Sequence, residues 1–367
     1  MIYRGIGVMS GSSLDGLDIA FTEFQENRGT WTYEIKNASC YSYSKEWITK
    51  LKLATTLNAL DYQLLHTEYG HYIGQQINKF IDENNLHYQV ALISSHGHTA
   101  FHIPSKRMTS QLGDGAAIAA ETELPVITDL RSLDVAFGGQ GAPIVPIGEK
   151  LLLNEYDFFL NLGGIANISF NGEPYVAFDV CPANRVLNML ANVTGKEYDD
   201  KGELASGGKV NEDLLKHLNE LDYYKQPYPK SLANEFGIEI VYPMIRDSEC
   251  EMRDSLRTYV EHISQQVNLS IANFQTSNNK LQTTNHKLLI TGGGAFNSFL
   301  IQRLTEKLKE LQIEVIVPDE KLIQYKEAMI MAFIGVLRWR QENNVLSSVT
   351  GAARDSIGGA LWIGQEA

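Results

Sequence analysis

Cysteine is scarce, with only Cys40, Cys181 and Cys250 in 367 residues, odd in number, widely separated and without metal-ligand spacing. That excludes a disulfide framework and a thiolate zinc site, and it points to a reducing compartment. Runs of Lys and Arg are missing as well. Thirty-one basic against 44 acidic side chains leave a formal charge of −13, which opposes general binding of nucleic acid, so any phosphate bound here has to meet local donors. No apolar stretch is long enough to span a bilayer. The start Met1–Ser10 reads as a strand meeting a turn, without the basic, apolar and small-residue regions of a signal peptide. The expectation is a cytoplasmic protein with no nucleic-acid partner and no membrane partner. Two nucleotide signatures are also absent, the P-loop glycines followed by Lys-Ser/Thr and the dinucleotide glycine fingerprint.

What is present is enough apolar sequence, 44% of residues against 20% charged, to bury a large core, and the length favours two domains. Residues 5 to 24 read as a hairpin around a Gly/Ser/Asp turn at Ser10–Gly16, with a third strand over Thr32–Tyr43. Helical spacing covers Lys45 to Asn84, and Gln89–Ser95 reads as a buried strand entering His96-Gly-His98. A second hairpin runs from Phe158 through Gly163-Gly164 to Phe170, and Val176–Asp179 is again a strand ending in a loop. Both halves therefore open with strand, glycine turn and strand. Thr276–His286 reads as an exposed loop. Leu288–Thr291 is a strand meeting Gly292–Gly294 and a helix over Ala295–Leu311, a further helix spans Tyr325–Gln341, and a glycine-rich tail from Thr350 to Trp362 packs back onto the core.

Three glycine turns at strand ends, Gly11 to Gly16, Gly163-Gly164 and Gly292 to Gly294, permit close approach of backbone amides to a phosphate. Each alone is equally compatible with ordinary turn chemistry. The wider pattern is more specific. Gly7-Val-Met-Ser-Gly-Ser-Ser-Leu-Asp-Gly-Leu-Asp18 resembles the opening signature of the anhydro-N-acetylmuramic acid kinases, with Ser12 where a Thr commonly stands. The resemblance continues, in order, through Ser95–Thr99, Gln111–Gly115, Asp129–Asp134, Gly138–Pro143, Asn161–Ser169 and Lys326-Glu-Ala328.

The resemblance implies an α/β fold of two actin-like, ribonuclease H-like lobes with a central cleft, divided near residues 1–130 and 131–367, the last helix packing on the N-terminal lobe. It implies ATP and Mg²⁺ as cofactors, a small-molecule anhydro sugar as substrate, and a homodimer. Gly11, Ser12, Ser13, Leu14, Asp15, Gly16, Leu17 and Asp18 are expected to approach the β- and γ-phosphates, together with Gly163 and Gly164. Gly292, Gly293 and Gly294 are expected under the adenosine. Asp15 or Asp18 orients Mg²⁺ through water, or caps the turn. Asp179, at the end of an apolar strand, matches the catalytic aspartate and is expected to act as general base. Glu327 matches a second acidic residue and is expected to support the attacking water or the base, or else merely favours the dipole in a first helical turn. His98, Arg131 and Asn184 are expected at the sugar, Arg131 by a bidentate contact to a carboxylate or else by a salt bridge to Asp129 or Asp134. His96, His98 and His102 read as hydrogen-bonders rather than metal ligands.

Two stretches depart from the family pattern. Val180-Cys-Pro-Ala-Asn184 stands where Thr-Gly-Pro-Gly-Asn is usual, so Cys181 and Ala183 are expected to narrow the pocket or shift the loop. Pro229–Phe236 lacks an arginine usual there. Both bear on which sugar is accepted, and a levoglucosan-type kinase is the alternative; a non-catalytic sugar sensor is a more distant one.

Overall fold

The computed structural model describes residues 1–365 apart from 12–13, 229, 234 and 278–285. Its strands are β1 (Ile2–Ser10), β2 (Gly16–Asn27), β3 (Thr30–Ser42), β4 (Leu92–Ser95), β5 (His98–Ile103), β6 (Met108–Leu112), β7 (Val126–Thr128), β8 (Phe158–Leu162), β9 (Ile165–Phe170), β10 (Val176–Pro182), β11 (His286–Thr291), β12 (Ile313–Ile316) and β13 (Ala360–Trp362). The chain divides into two compact units, Met1–Leu153 with Tyr325–Ala367, and Asn154–Gln324. Residues 131–153, placed above with the second lobe, thus cluster with the first. One reason is a buried ion pair between Lys326 and Glu149 at 2.8 Å, which joins this segment to the helix Glu320–Trp339.

In the first unit the sheet order is β13-β7-β4-β1-β2-β3, with β1, β2 and β3 antiparallel and β4 and β7 parallel to β1. In the second it is β10-β9-β8-β11-β12, with β9 and β10 antiparallel and β11 and β12 parallel to their neighbours. Counted within each unit, setting aside the β5–β6 ribbon and the added edge strand β13, both sheets run 3-2-1-4-5. The two glycine-turn hairpins therefore belong to a repeat of whole topology, the ribonuclease H-like arrangement.

Central strands need cover on both faces, which is why β1 buries Gly5 to Val8 without alternation. A Cβ on Gly7 would stand 2.6 Å from the Ala332 amide nitrogen, so glycine lets the helix Glu320–Trp339 lie directly on β1. On the same unit, the helical stretch from Lys45 is interrupted at Leu57, and a new helix, Ala59–Asn84, starts where Asn58 accepts from the Asp61 amide. Its Leu65, Tyr69, Ile73, Ile77 and Ile81 recur every fourth residue and are buried. In the second unit Tyr259, Ile263, Val267 and Ile271 do the same on the helix Met252–Ser277. Phe274, on that helix, stacks on Phe170 with ring centroids 3.8 Å apart. The tail forms the edge strand β13 against β7. Most of the loop expected over Thr276–His286 lies outside the described residues.

Candidate active site

In parallel α/β sheets ligands gather beyond the carboxyl ends of the strands, and in the first unit those ends carry the charged residues. β1 leads into the turn from Gly11; Asp15 is exposed and its Oδ1 accepts from the Gly16 amide at 3.1 Å. Ser12 and Ser13 lie outside the described residues. Leu14 and Leu17 belong to the hydrophobic core, so of the residues expected at the phosphates these two offer backbone alone. Gly16 is buried against Cys40. Asp18, half-buried on β2, accepts from the Cys40 thiol; burial first, then the nearby Asp15 and Glu327 carboxylates, raise its pKa to about 6. Burial, followed by the bond to Asp18, pushes the Cys40 thiol up to about 12.

Glu327 reaches this cluster because its helix begins at Glu320 and not at Tyr325. It lies well inside the helix, so favouring the dipole in a first turn is not its role.

The strand β4 delivers His96, whose Nδ1 lies 2.9 Å from Gly97 O and whose Nε2 accepts from Arg131 Nε at 2.8 Å. Since a guanidinium has no lone pair to offer, this imidazole is neutral and carries its proton on Nδ1. Burial, with Arg131 second, takes its pKa down to about 3. Arg131 also donates through Nη1 to Gly141 O at 2.6 Å. Burial lowers its pKa to about 10 against the pull of Glu327 and Asp134. The salt bridge to Asp129 or Asp134 does not form among the described residues: Asp134 is taken by the Gly141 amide and the Thr350 hydroxyl, and Asp129 by the Thr128 hydroxyl. His98 is held from behind, its Nδ1 3.1 Å from Ser10 Oγ, which in turn accepts from Tyr43 OH at 2.8 Å. His102 Nδ1 meets Thr109 Oγ1 at 3.0 Å. Among the described residues no group of three or more His, Cys, Asp or Glu side chains is set to hold a metal.

The second unit gathers the other expected residues around the start of the helix Asn184–Asn192. The amides of Ala183 and Asn184 donate to Gly164 O and Gly163 O at 2.8 and 3.0 Å, and Asn184 Nδ2 donates to Leu162 O at 2.8 Å. Gly292 has φ +81, and a Cβ on Gly294 would fall 2.7 Å from the Leu162 Cβ and 3.0 Å from Asn184 Oδ1. Asn184 therefore ties the Gly163-Gly164 turn to the Gly292–Gly294 turn. It shares with Gly293, Gly294, Tyr198, Lys201 and Phe296 a cavity of about 430 Å³. Tyr198 and Phe296 are more than 40% exposed there, leaving aromatic faces open to a planar ring. This places Asn184 with the residues expected at the nucleotide rather than with those expected at the sugar.

Asp179 stands where β10 bulges, between its pairing with Asn167 and that of Cys181 with Ala166. Its Oδ2 accepts from the Leu232 amide at 2.8 Å, its own amide donates to Lys230 O, and its carbonyl accepts from Tyr223 OH. Burial raises its pKa, against the hydrogen bonds from Leu232 and Asn167 that lower it. The bulge turns Cys181 and Ala183 into the core, both with no exposed surface, so neither side chain narrows the pocket. Pro229 and Asn234 of the second departing stretch lie outside the described residues, while its Leu232 is the residue that fixes Asp179.

Sequence reasoning missed Cys40, Tyr43 and Ser10, because none belongs to a charged motif and each acts only through a long-range contact. It also missed Tyr198, Lys201 and Phe296, which ordinary loop composition conceals.

The family model for anhydro-N-acetylmuramic acid kinase matches residues 3–364. Among curated proteins, the anhydro-N-acetylmuramic acid kinase of Photobacterium profundum is 31% identical over 98% of this chain and 99% of its own. That of Vibrio parahaemolyticus is 33% identical over 97% of each. Among solved structures, the activator of the 2-hydroxyisocaproyl-CoA dehydratase from Clostridium difficile with bound ADPNP aligns at a TM-score of 0.43 and 12% identity, over 92% of this chain and 97% of that one.

Proposed function

The chain belongs to the anhydro-N-acetylmuramic acid kinase family, and from that premise we propose that it hydrolyses the 1,6-anhydro bridge of anhydro-N-acetylmuramic acid and phosphorylates O6 from ATP. The products are N-acetylmuramic acid 6-phosphate and ADP, in cell-wall recycling. The observation that carries the reading is Asp179, a half-buried carboxylate clamped by the Leu232 amide, with its proton affinity raised by burial.

A base of that kind takes a proton from the water that attacks the anomeric carbon. The bridging oxygen leaves that carbon as O6 and becomes the nucleophile toward the γ-phosphate. The donor set fits the nucleotide. Thr291 Oγ1, next to Gly292, is buried with no partner among the described residues, the glycine turns admit close approach, and the aromatic cavity suits a base. Asp15 or Asp18, through waters, would hold Mg²⁺, which when bound neutralises phosphate charge. Arg131 has Nε and Nη1 engaged and its second terminal nitrogen without a hydrogen bond among the described residues, which suits one contact to the lactyl carboxylate, and His98 has Nε2 to offer a sugar hydroxyl. A homodimer in the cytoplasm is part of the same proposal.

The test is ADP release with purified protein against anhydro-N-acetylmuramic acid, levoglucosan, N-acetylmuramic acid and glucose, with wild type and Asp179→Asn. Turnover with the first alone, lost by about 10²–10⁴-fold in the variant, is the expected result. The amide keeps an acceptor for the Leu232 N–H, so the variant should melt like wild type and bind ATP. Equal turnover with the ordinary sugars, or a variant retaining more than about a tenth of the rate, overturns the reading.

A further inference from the structure

Arg185 is the second residue of the helix Asn184–Asn192, and its side chain lies along the Gly163-Gly164 turn. A Cβ placed on Gly164 would sit 3.7 Å from Arg185 Nε and 3.8 Å from its Nη2, while the Arg185 amide donates to Gly164 O at 3.3 Å. The Nε is buried and makes no hydrogen bond, and no carboxylate among the described residues pairs with this guanidinium. Several arginines lack a carboxylate partner, but among the described residues no other arginine nitrogen is both buried and without a hydrogen bond.

A half-buried guanidinium with an unsatisfied N–H is costly until an anion arrives, and its planar fork suits two oxygens of one phosphate. The neighbouring backbone decides which anion. The amides of residues 183 to 185 bind the carbonyls of Gly163 and Gly164, and Asn184 opens into the cavity shared with Gly293 and Gly294. We infer that Arg185 is a binding residue for the phosphate chain of the nucleotide, with the Gly163-Gly164 turn kept free of side chains so that the guanidinium and the phosphate can meet. The inference rests on the nucleotide-binding part of the function proposed above.

Calorimetric titration of the full chain with the non-hydrolysable analogue AMPPNP and with adenosine separates the two ends of the ligand. Arg185→Met should weaken AMPPNP about ten- to a hundredfold with adenosine unchanged and the melting temperature kept, and Arg185→Lys, which retains charge without the fork, should fall between. AMPPNP affinity within twofold of wild type overturns the inference. So does an equal loss for AMPPNP and adenosine, which marks a distorted site, or a rise confined to the KM for the sugar, which assigns the arginine to a sugar carboxylate. Should Arg185→Met fail to fold, Arg185→Lys and Arg185→Gln carry the same comparison. Selective loss of AMPPNP in a protein that turns over no anhydro sugar would sustain the role of Arg185 while removing the sugar reaction.

Discussion

Arg131 donates through Nε to Nε2 of His96 at 2.8 Å, while the opposite nitrogen of the same ring meets Gly97 O at 2.9 Å. The pair fixes the imidazole as neutral, because a proton on Nε2 would face the guanidinium donor. Buried and held in this way, His96 titrates near 3, against about 6.5 in an unfolded chain. Between those values the unfolded chain binds the extra proton, so the stability tied to His96 is complete above 6.5 and is lost as pH falls toward 3. From pH 7.5 to 5 this amounts to about 2 kcal/mol. His96→Asn can still accept from Arg131 and donate to Gly97 O but cannot titrate. Denaturant unfolding at the two pH values should show a flatter dependence in the variant than in wild type, and equal slopes would contradict the assignment.

Asp18 carries the opposite sign. Its folded pKa of about 6 lies above the ordinary carboxylate value of 3.8, so its contribution to stability is present below 3.8 and lost as pH rises through about 6. The ionised carboxylate is the form the fold disfavours and a cation would relieve. Removing the Cys40 thiol takes away a hydrogen bond that lowers the Asp18 pKa. Cys40→Ala should therefore move the acid limb of kcat/KM to higher pH, and Cys40→Ser, which keeps a donor, should leave it near 6. Superimposable profiles for wild type and Cys40→Ala would separate Asp18 from the rate.

The three glycines after β11 should not respond alike. Gly292 has φ +81 and Gly294 would press a Cβ to 2.7 Å from that of Leu162, whereas a Cβ on Gly293 meets nothing nearer than Asn184 Nδ2 at 3.7 Å. Alanine at 292 or 294 should cost about 1–3 kcal/mol of stability. Gly293→Ala should melt like wild type yet bind AMPPNP at least about tenfold more weakly, since its added methyl enters the ligand cavity and not the core. Binding within twofold would show that this glycine does not approach the nucleotide.

The sequence alone determined the local elements and the chemistry on them. Continuous apolar runs mark β1, β8 and β11 because strands covered on both faces have no polar side, and glycines at their ends mark turns, of which Gly292 at φ +81 favours a residue without Cβ. Asp179 at a strand end and the glycine turns were legible as local features for that reason, while the roles expected of Asp179 and Glu327 came from the family order. What lay beyond reach depended on contacts across long separations, which leave no periodicity: Lys326 with Glu149, Cys40 with Asp18, Tyr43 with Ser10 and His98. Only the tertiary structure decided that Cys181 and Ala183 face the core, because a one-residue bulge after Asp179 changes which face the following side chains take. Likewise, Arg131 is free of Asp134 because the Gly141 amide and the Thr350 hydroxyl reach that carboxylate instead, a competition among partners that no linear pattern records.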